Sequence, residues 1–422
     1  MGDGCRKSRV RSPLPVMHLP SFSPTHAVAA AALLGVAFSV PLEGQIAFTG
    51  LEGVRTPNGI SADGSVIVGS DIFSGSPPVR WTAATGAVPL GSISGDATGI
   101  SADGSIIVGT GLLSQNQFKP YRWTQDGGAT VLTTLPGSID SRIYGVSADG
   151  TIATGFTALS DQYTQATKWI GVDPQPLAFI PGGGTNSMGE AVSADGSTIV
   201  GYAATATGQI HAVRWTDTAG LFDLGALGGF NSLATGVSED GSFIVGYVVP
   251  TSTSPEVKGF IWNGTEGKTD LSLRGMSVVP RAVSSDGSLV IGYTQRNGSP
   301  LEGFVWTPDS GVRDFGDVLR NTYGLESKLA DWSGLYPWEM TADGRFIAGS
   351  GFHDGTLEGW LLDRGLNPPP LGESGPFSPV PEPSIYGIAS ALLLGLLSWK
   401  RRKKAAPEGC AKRERAPAPE AR

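Results

Sequence analysis

Ala191–Gly229 reads AVSADGSTIVGYAATATGQIHAVRWTDTAGLFDLGALGG, and the same plan recurs seven times along the chain. Each copy has a Ser-x-Asp-Gly-like turn, an apolar run ending near a Gly, and a tryptophan further on. A short Leu/Gly segment follows in most copies. The turn aspartates are Asp63, Asp103, Asp149, Asp195, Asp240, Asp286 and Asp343, spaced 40, 46, 46, 45, 46 and 57 residues apart. The tryptophans that answer them are Trp81, Trp123, Trp169, Trp215, Trp262, Trp306 and Trp360. A self-similar period of this size marks a repeat architecture, whose units bury their apolar faces by stacking on neighbours.

Within the quoted unit, Glu190–Ser193 reads as a short strand and Asp195-Gly196 as a hairpin turn, whose Gly readily takes a positive φ. Ser197–Tyr202 is a second strand, apolar enough to be covered on both faces. His211–Thr216 is a third and Leu221–Leu227 a fourth. Four short strands in a unit of this length are a propeller blade. The fold expected is therefore all-β, a seven-bladed β-propeller. Its last unit stops at a third strand, Gly359–Asp363, while an orphan strand, Ile46–Gly53, precedes the first unit. Pairing these two closes the ring and leaves no open sheet edge between first and last blades.

The repeated side chains have structural roles to fill. Aspartates in such turns hydrogen-bond local backbone amides. The tryptophans suit the gaps between blades, each burying about 150–250 Å²; those that face the ring surface instead would stack on sugars. The long 57-residue spacing places an insertion in Asp314–Glu339, where Asp317–Leu329 is expected to hold a short helix behind which Trp332, Tyr336 and Trp338 cluster. A decorated loop on a rigid ring is a natural place for function; covering the end of the ring is the alternative use of these aromatics.

The formal charge of −8 conceals a partition. Residues 45–380 carry 17 basic and 32 acidic side chains, and both chain ends are net positive. A body this acidic repels nucleic acid, whose binding depends on phosphate neutralisation, so no nucleic-acid partner is expected. Both cysteines, Cys5 and Cys410, lie in the tails, which leaves the body without a disulfide or a thiolate metal site. Only His211 and His353 lie in the body, so no site of three or more histidines forms there, and no metal or cofactor is expected. No G-x-S-x-G elbow accompanies either histidine. Paired carboxylates remain available, because many acids offer many pairs.

The two ends read as addresses. Arg6, Lys7, Arg9 and Arg11 precede the apolar run Ala27–Val40, the pattern of a secretory signal, with Ala37-Phe38-Ser39 and Gly44 as candidate cleavage sites. At the other end Pro381-Glu382-Pro383 is followed by Ile385–Trp399 (IYGIASALLLGLLSW) and then Lys400-Arg401-Arg402-Lys403-Lys404. The apolar run can enter a bilayer, and the cations hold its end at the cytoplasmic face. The chain thus divides into a leader (1–44), the propeller (45–364), a Pro/Gly-rich linker (365–379), the terminal signal (380–404) and a tail (405–422).

Two family resemblances rest on these residues. GVSADGS-like turns followed by HAVRW, KGFIW or EGFVW and then LGALGG resemble the bacterial HAF-repeat extracellular proteins. His211-Ala212 supplies the first two letters of that name, and Val213 stands in place of its Phe. The motif–helix–cation order at residues 380–404 resembles a PEP-CTERM sorting signal. That resemblance implies transient insertion in the inner membrane and cleavage near the motif by an exosortase-like processing enzyme; Ala405–Arg422 is a longer tail than the family pattern carries. The function expected is an exported, non-enzymatic interaction protein of the cell surface or extracellular matrix, with exopolysaccharide or another surface protein as partner. The alternative is an exported carbohydrate-active enzyme, a glycoside hydrolase or lyase, working with paired carboxylates.

Overall fold

Thr198–Ala204 (TIVGYAA) is buried at nearly every position, as a strand must be when sheets cover both of its faces. Its neighbours show why. Ser187–Val192 lies on one side of it and Ile210–Thr216 on the other, with Gly220–Gly225 outermost, all antiparallel. The sheet order repeats in six consecutive four-stranded sheets, and a seventh completes the set. The structure is a computed structural model, and it describes residues 45–371 apart from 71–76, 115–116, 161–162, 252, 254–255 and 297–298.

The first strand of each sheet is the innermost. Thr56–Ile60, Gly95–Ile100, Asp140–Val146, Ser187–Val192, Asn231–Val237, Ser277–Val283 and Trp332–Met340 each touch the next in turn, and the last touches the first. This closed circuit makes a seven-bladed β-propeller whose inner strands surround a central channel. Blades are numbered here from the one that begins at Thr56. Strand ends differ from the sequence reading by a few residues, since loop residues such as Leu227 leave the ladder at a positive φ.

Ring closure follows the orphan-strand expectation. Ala47–Leu51 is the outer strand of blade 7, antiparallel to Thr356–Asp363, with Phe48 opposite Leu362 and Gly50 opposite Trp360. Phe48 then stacks 5.7 Å from Trp360 and meets Trp332 edge-on at 5.2 Å. The chain's first and last strands therefore share one sheet and one core.

The insertion does not form a regular helix. It is a single α-turn at Phe315–Asp317, a wider π-turn at Val318–Thr322 and a 3-10 turn at Glu326–Lys328. The Asp314 carboxylate caps the first turn by accepting from the Asp317 amide at 2.7 Å. Packing explains the irregular path. Phe315, Val318, Leu319, Leu325 and Leu329 are all buried in one cluster with Leu289, Val305, Trp332 and Trp360, so the segment is a wedge between blades 6 and 7. Trp332 belongs to that packing, whereas Tyr336 and Trp338 lie outside it, with their rings 6.0 Å apart.

No helix among the described residues is long and apolar enough to cross a membrane. The leader, the motif Pro381, Glu382 and Pro383, the apolar run Ile385–Trp399 and the cations Lys400, Arg401, Arg402, Lys403 and Lys404 lie outside the described residues.

Candidate functional site

The turn aspartates are consumed by their turns. Asp103 accepts from the Ser101 hydroxyl at 2.6 Å and from the Ser105 amide at 3.0 Å, while Ser101 Oγ accepts from the Ile106 amide at 2.9 Å. Asp63, Asp149, Asp195, Asp240 and Asp286 repeat this with their own serines, and Asp343 does so with Thr341 and the Arg345 amide. The Ser101 hydroxyl, and after it the Ser105 amide, holds the Asp103 carboxyl down to about 2. Between blades the turns are linked as well. The Ala62 amide donates to Ala102 O, Ala102 to Ala148 O, Ala148 to Ala194 O, Ala194 to Glu239 O, and Ser285 to Ala342 O.

The tryptophans join blades. Trp123 packs on Val66, Val68 and Leu90 of blade 1, and Trp169 on Val108 and Leu132 of blade 2. Trp215, Trp262, Trp306, Trp360 and Trp81 each share a cluster with residues of the preceding blade in the same way. Trp169 and Trp215 also donate Nε1–H across the gap, to Thr133 O and Ala178 O at 2.8 Å.

The channel is different. Every inner strand carries one extra residue where its register slips against the second strand: Asn58, Thr98, Tyr144, Glu190, Thr235, Arg281 and Trp338. A bulge re-aims a side chain at a fixed place, and here it occurs seven times around one axis. All seven side chains are half-buried. The position lies three residues before the Ser or Thr of each turn. It is a place where otherwise similar repeats diverge, a variation that marks a site only once the fold brings the seven positions together.

The seven divide into two groups. Asn58 donates to Ala97 O at 2.9 Å, Thr98 to Ile143 O at 2.9 Å and Thr235 to Pro280 O at 2.7 Å, each bracing the next inner strand. The others are large or charged. The second strands divide slightly differently: the residue after their Gly is Ser70, Thr110 or Ser350 in blades 1, 2 and 7 but Phe156, Tyr202, Tyr247 or Tyr293 in blades 3 to 6. Ser350 donates to Arg55 O at 2.9 Å and accepts from Trp338 Nε1 at 2.8 Å. The wall is thus small at both positions in blades 1 and 2, large or charged at both in blades 3, 4 and 6, and mixed in blades 5 and 7.

On the aromatic side Tyr293 and Trp338 are 5.7 Å apart, Tyr144 and Phe156 6.0 Å, and the Arg281 guanidinium lies 5.9 Å from the Trp338 ring centre. Burial pushes the phenols of Tyr144, Tyr202, Tyr247 and Tyr293 up, so they stay neutral. Burial also raises the Glu190 carboxyl, against the pull of Arg281. The same two causes leave Glu339 at about 7. Glu339 follows the bulge in blade 7, where the other blades have Gly or Ala. Arg281 Nε, enclosed between these groups, has no hydrogen-bond partner. A second, milder pairing sits in blades 2 and 3, where burial raises Asp96 despite the Ser70 hydroxyl and Arg142.

Two other features gather polar side chains. A cleft of about 300 Å³ between the turns of blades 6 and 7 is lined by Asp286, Asp343, Thr307 and Arg364, but both carboxylates are already engaged within their turns. His211 pairs with Asp223 at 3.0 Å and His353 with Glu358 at 2.9 Å, on different blades. Among the described residues no three His, Cys, Asp or Glu side chains gather as a metal-binding group.

No protein-family model matches the chain, and no curated protein sequence matches it. Solved structures do resemble it. A puromycin hydrolase S511A mutant is 13% identical with a TM-score of 0.50, over 74% of this chain and 52% of that one. An oligogalacturonate lyase from Vibrio parahaemolyticus is 12% identical with a TM-score of 0.49, over 76% and 98%. A TolB protein from Agrobacterium tumefaciens is 20% identical with a TM-score of 0.39, over 55% and 88%. This chain spans about half of the hydrolase. At these identities the likeness concerns the propeller fold alone.

Proposed function

We propose that this protein is an exported, non-enzymatic propeller that binds an extracellular ligand in its channel, as part of a bacterial surface layer or polysaccharide matrix. The observation that carries the reading is the ring of bulge residues. The repeats keep their turns and their inter-blade tryptophans, and vary at a position that points into the channel. Structural positions are uniform because every blade solves the same packing problem; a varied ring of aromatic and charged groups answers to something outside the fold. The two terminal signals supply the address, with an exosortase-like enzyme as the processing partner and exopolysaccharide or a surface protein as the bound partner.

The experiment is a combined glycan-array and turnover screen on the purified full chain. Capture of a glycan without product, weakened by Arg281→Met and Trp338→Leu, is the result expected. Capture that survives both substitutions would place binding elsewhere and end the channel reading.

One observation favours a second reading. Glu190 and Glu339 both hold raised carboxyls near Arg281, and two carboxyls in one enclosed site are the machinery of glycoside chemistry. Under this reading the same screen yields cleaved product, and Glu190→Gln or Glu339→Gln abolishes it with binding retained.

A further inference from the structure

We infer that the channel holds the carboxylate of an acidic sugar residue, a uronic acid, with Arg281 as its ion-pair partner and the tyrosine–tryptophan wall against its ring. The inference rests on the channel-binding reading above and names its ligand class.

The argument begins with Arg281. A guanidinium is a fixed fork of donors that matches a carboxylate, and it stays charged at any pH a protein survives. Arg281 is only part-buried, its guanidinium makes no hydrogen bond or ion pair among the described residues, and its Nε is buried without an acceptor, so the more exposed end of the fork is where a ligand would bind. Glu190 and Glu339 act on this group electrostatically, yet neither pairs with it directly. The missing partner is an anionic oxygen.

The walls describe the rest of the ligand. Tyr202, Tyr247, Tyr293 and Trp338 lie on the inner two strands of consecutive blades, and each is only part-buried. Aromatic faces suit the C–H face of a pyranose ring, and phenolic hydroxyls that remain neutral suit its hydroxyls. Glu190 and Glu339, when protonated, donate as well as accept, which serves sugar hydroxyls again. An aromatic cage for a cation is the competing arrangement, but it does not place a permanent positive charge beside its own ring.

The ligand's charge also sets a pH dependence. Glu339 is the anion that an incoming carboxylate would meet, and its protonation removes that repulsion. Among groups facing it, Arg281 acts on it. Glu302, Asp317 and His353 lie on elements packed against its strand. Tyr293 and Trp338 contribute no charge. Affinity for a carboxylate therefore rises as pH falls from 8 through 7, and affinity for a cation falls.

Isothermal titration of the full chain with four probes tests this: a uronic-acid trimer, a neutral glucose trimer, acetate, and a glucosamine trimer. The uronic-acid trimer should bind, and should tighten about threefold or more from pH 8 to pH 6. Arg281→Met should weaken it about 10- to 100-fold, the range for a charged hydrogen bond, and Arg281→Lys should fall between. Glu339→Gln should bind more tightly than wild type at pH 8 and show a flat profile. If Arg281→Met does not fold, the Glu339→Gln profile carries the decision. Equal binding of the neutral trimer would overturn the acidic-sugar inference while leaving channel binding in place. Binding of acetate as tight as the trimer would overturn the sugar part, and preference for the glucosamine trimer would overturn it in favour of the cation cage. If no glycan binds at all, and the channel variants match wild type against every captured partner, both readings fall together.

Discussion

Gly50 lies directly opposite Trp360 across an antiparallel pair, so the beginning and the end of the propeller meet in one blade. A Cβ at Gly50 would come within 2.7 Å of the Glu358 carboxylate and 3.2 Å of the Trp332 ring, so a side chain there would have to displace the end of Glu358 and crowd the indole. Deleting Ala47–Leu51 removes fully buried Leu51 and exposes the sheet edge. Loss of Leu51 and Phe48 packing is expected to cost roughly 4 kcal/mol or more, enough to lower the melting temperature by about 6 °C in a domain of this size. Calorimetry of the deletion decides it; a protein that melts like the intact one would refute closure by this strand.

Trp169 and Trp360 are both fully buried, but only Trp169 has a partner for its Nε1–H. Replacing each with Phe separates packing from hydrogen bonding. Trp169→Phe should cost about 1 kcal/mol more than Trp360→Phe, the net worth of one hydrogen bond. Urea unfolding of both variants supplies the comparison, and equal losses would count against a role for the indole N–H.

Acid should unfold the protein through its turns. Asp63, Asp103, Asp149, Asp195, Asp240 and Asp286 all titrate below the usual 3.8 because their turns donate to the carboxylate. A carboxyl lowered in the folded state contributes stability above its unfolded value, and that contribution is lost as pH falls through the folded value. The window therefore runs from about pH 4 down to about pH 2, set by Asp103. Urea midpoints measured at pH 6, 4 and 3 should fall steeply across the last interval, and Asp103→Asn should flatten the slope; an unchanged slope would argue against turn control.

Glu339 works in the opposite sense. Its carboxyl is raised in the folded state, so its neutral form favours folding at low pH and the advantage disappears as pH rises from about 4.5 to about 7. Above that window wild type holds an enclosed anion, which Glu339→Gln removes. The variant should melt a few degrees higher at pH 8 and no higher at pH 4.5. A variant less stable than wild type at pH 8 would mean that the carboxylate is held by favourable contacts.

The fate of the C-terminus is open to direct measurement. If residues 380–404 act as a sorting signal, intact mass of protein from the native host should end near Val380–Ser384 and lack Ile385–Trp399. Replacing Pro381, Glu382 and Pro383 with alanine should leave full-length protein in the inner membrane. Wild-type protein that still carries Trp399 would indicate a simple membrane anchor.

The architecture was legible in the sequence because it rests on local chemistry repeated many times. A Ser-x-Asp-Gly turn closes itself through neighbours two to five residues away, so it can be read from a short window. Counting such turns gives the number of blades, and the orphan segment at Ile46–Gly53 announces closure because an unpaired edge needs covering. The insertion was legible as an excess of residues but not as a shape, since its turns take their geometry from the wedge between blades 6 and 7 rather than from helical periodicity. The channel was visible only in three dimensions. Glu190, Arg281 and Trp338 occupy equivalent places in separate repeats, and each is an unremarked variation within its own unit. They become one site because the propeller brings equivalent inner-strand positions to a common axis and the bulges turn them inward. Burial there then changes what a glutamate does, holding Glu339 near neutrality beside an arginine whose Nε the protein leaves unpartnered.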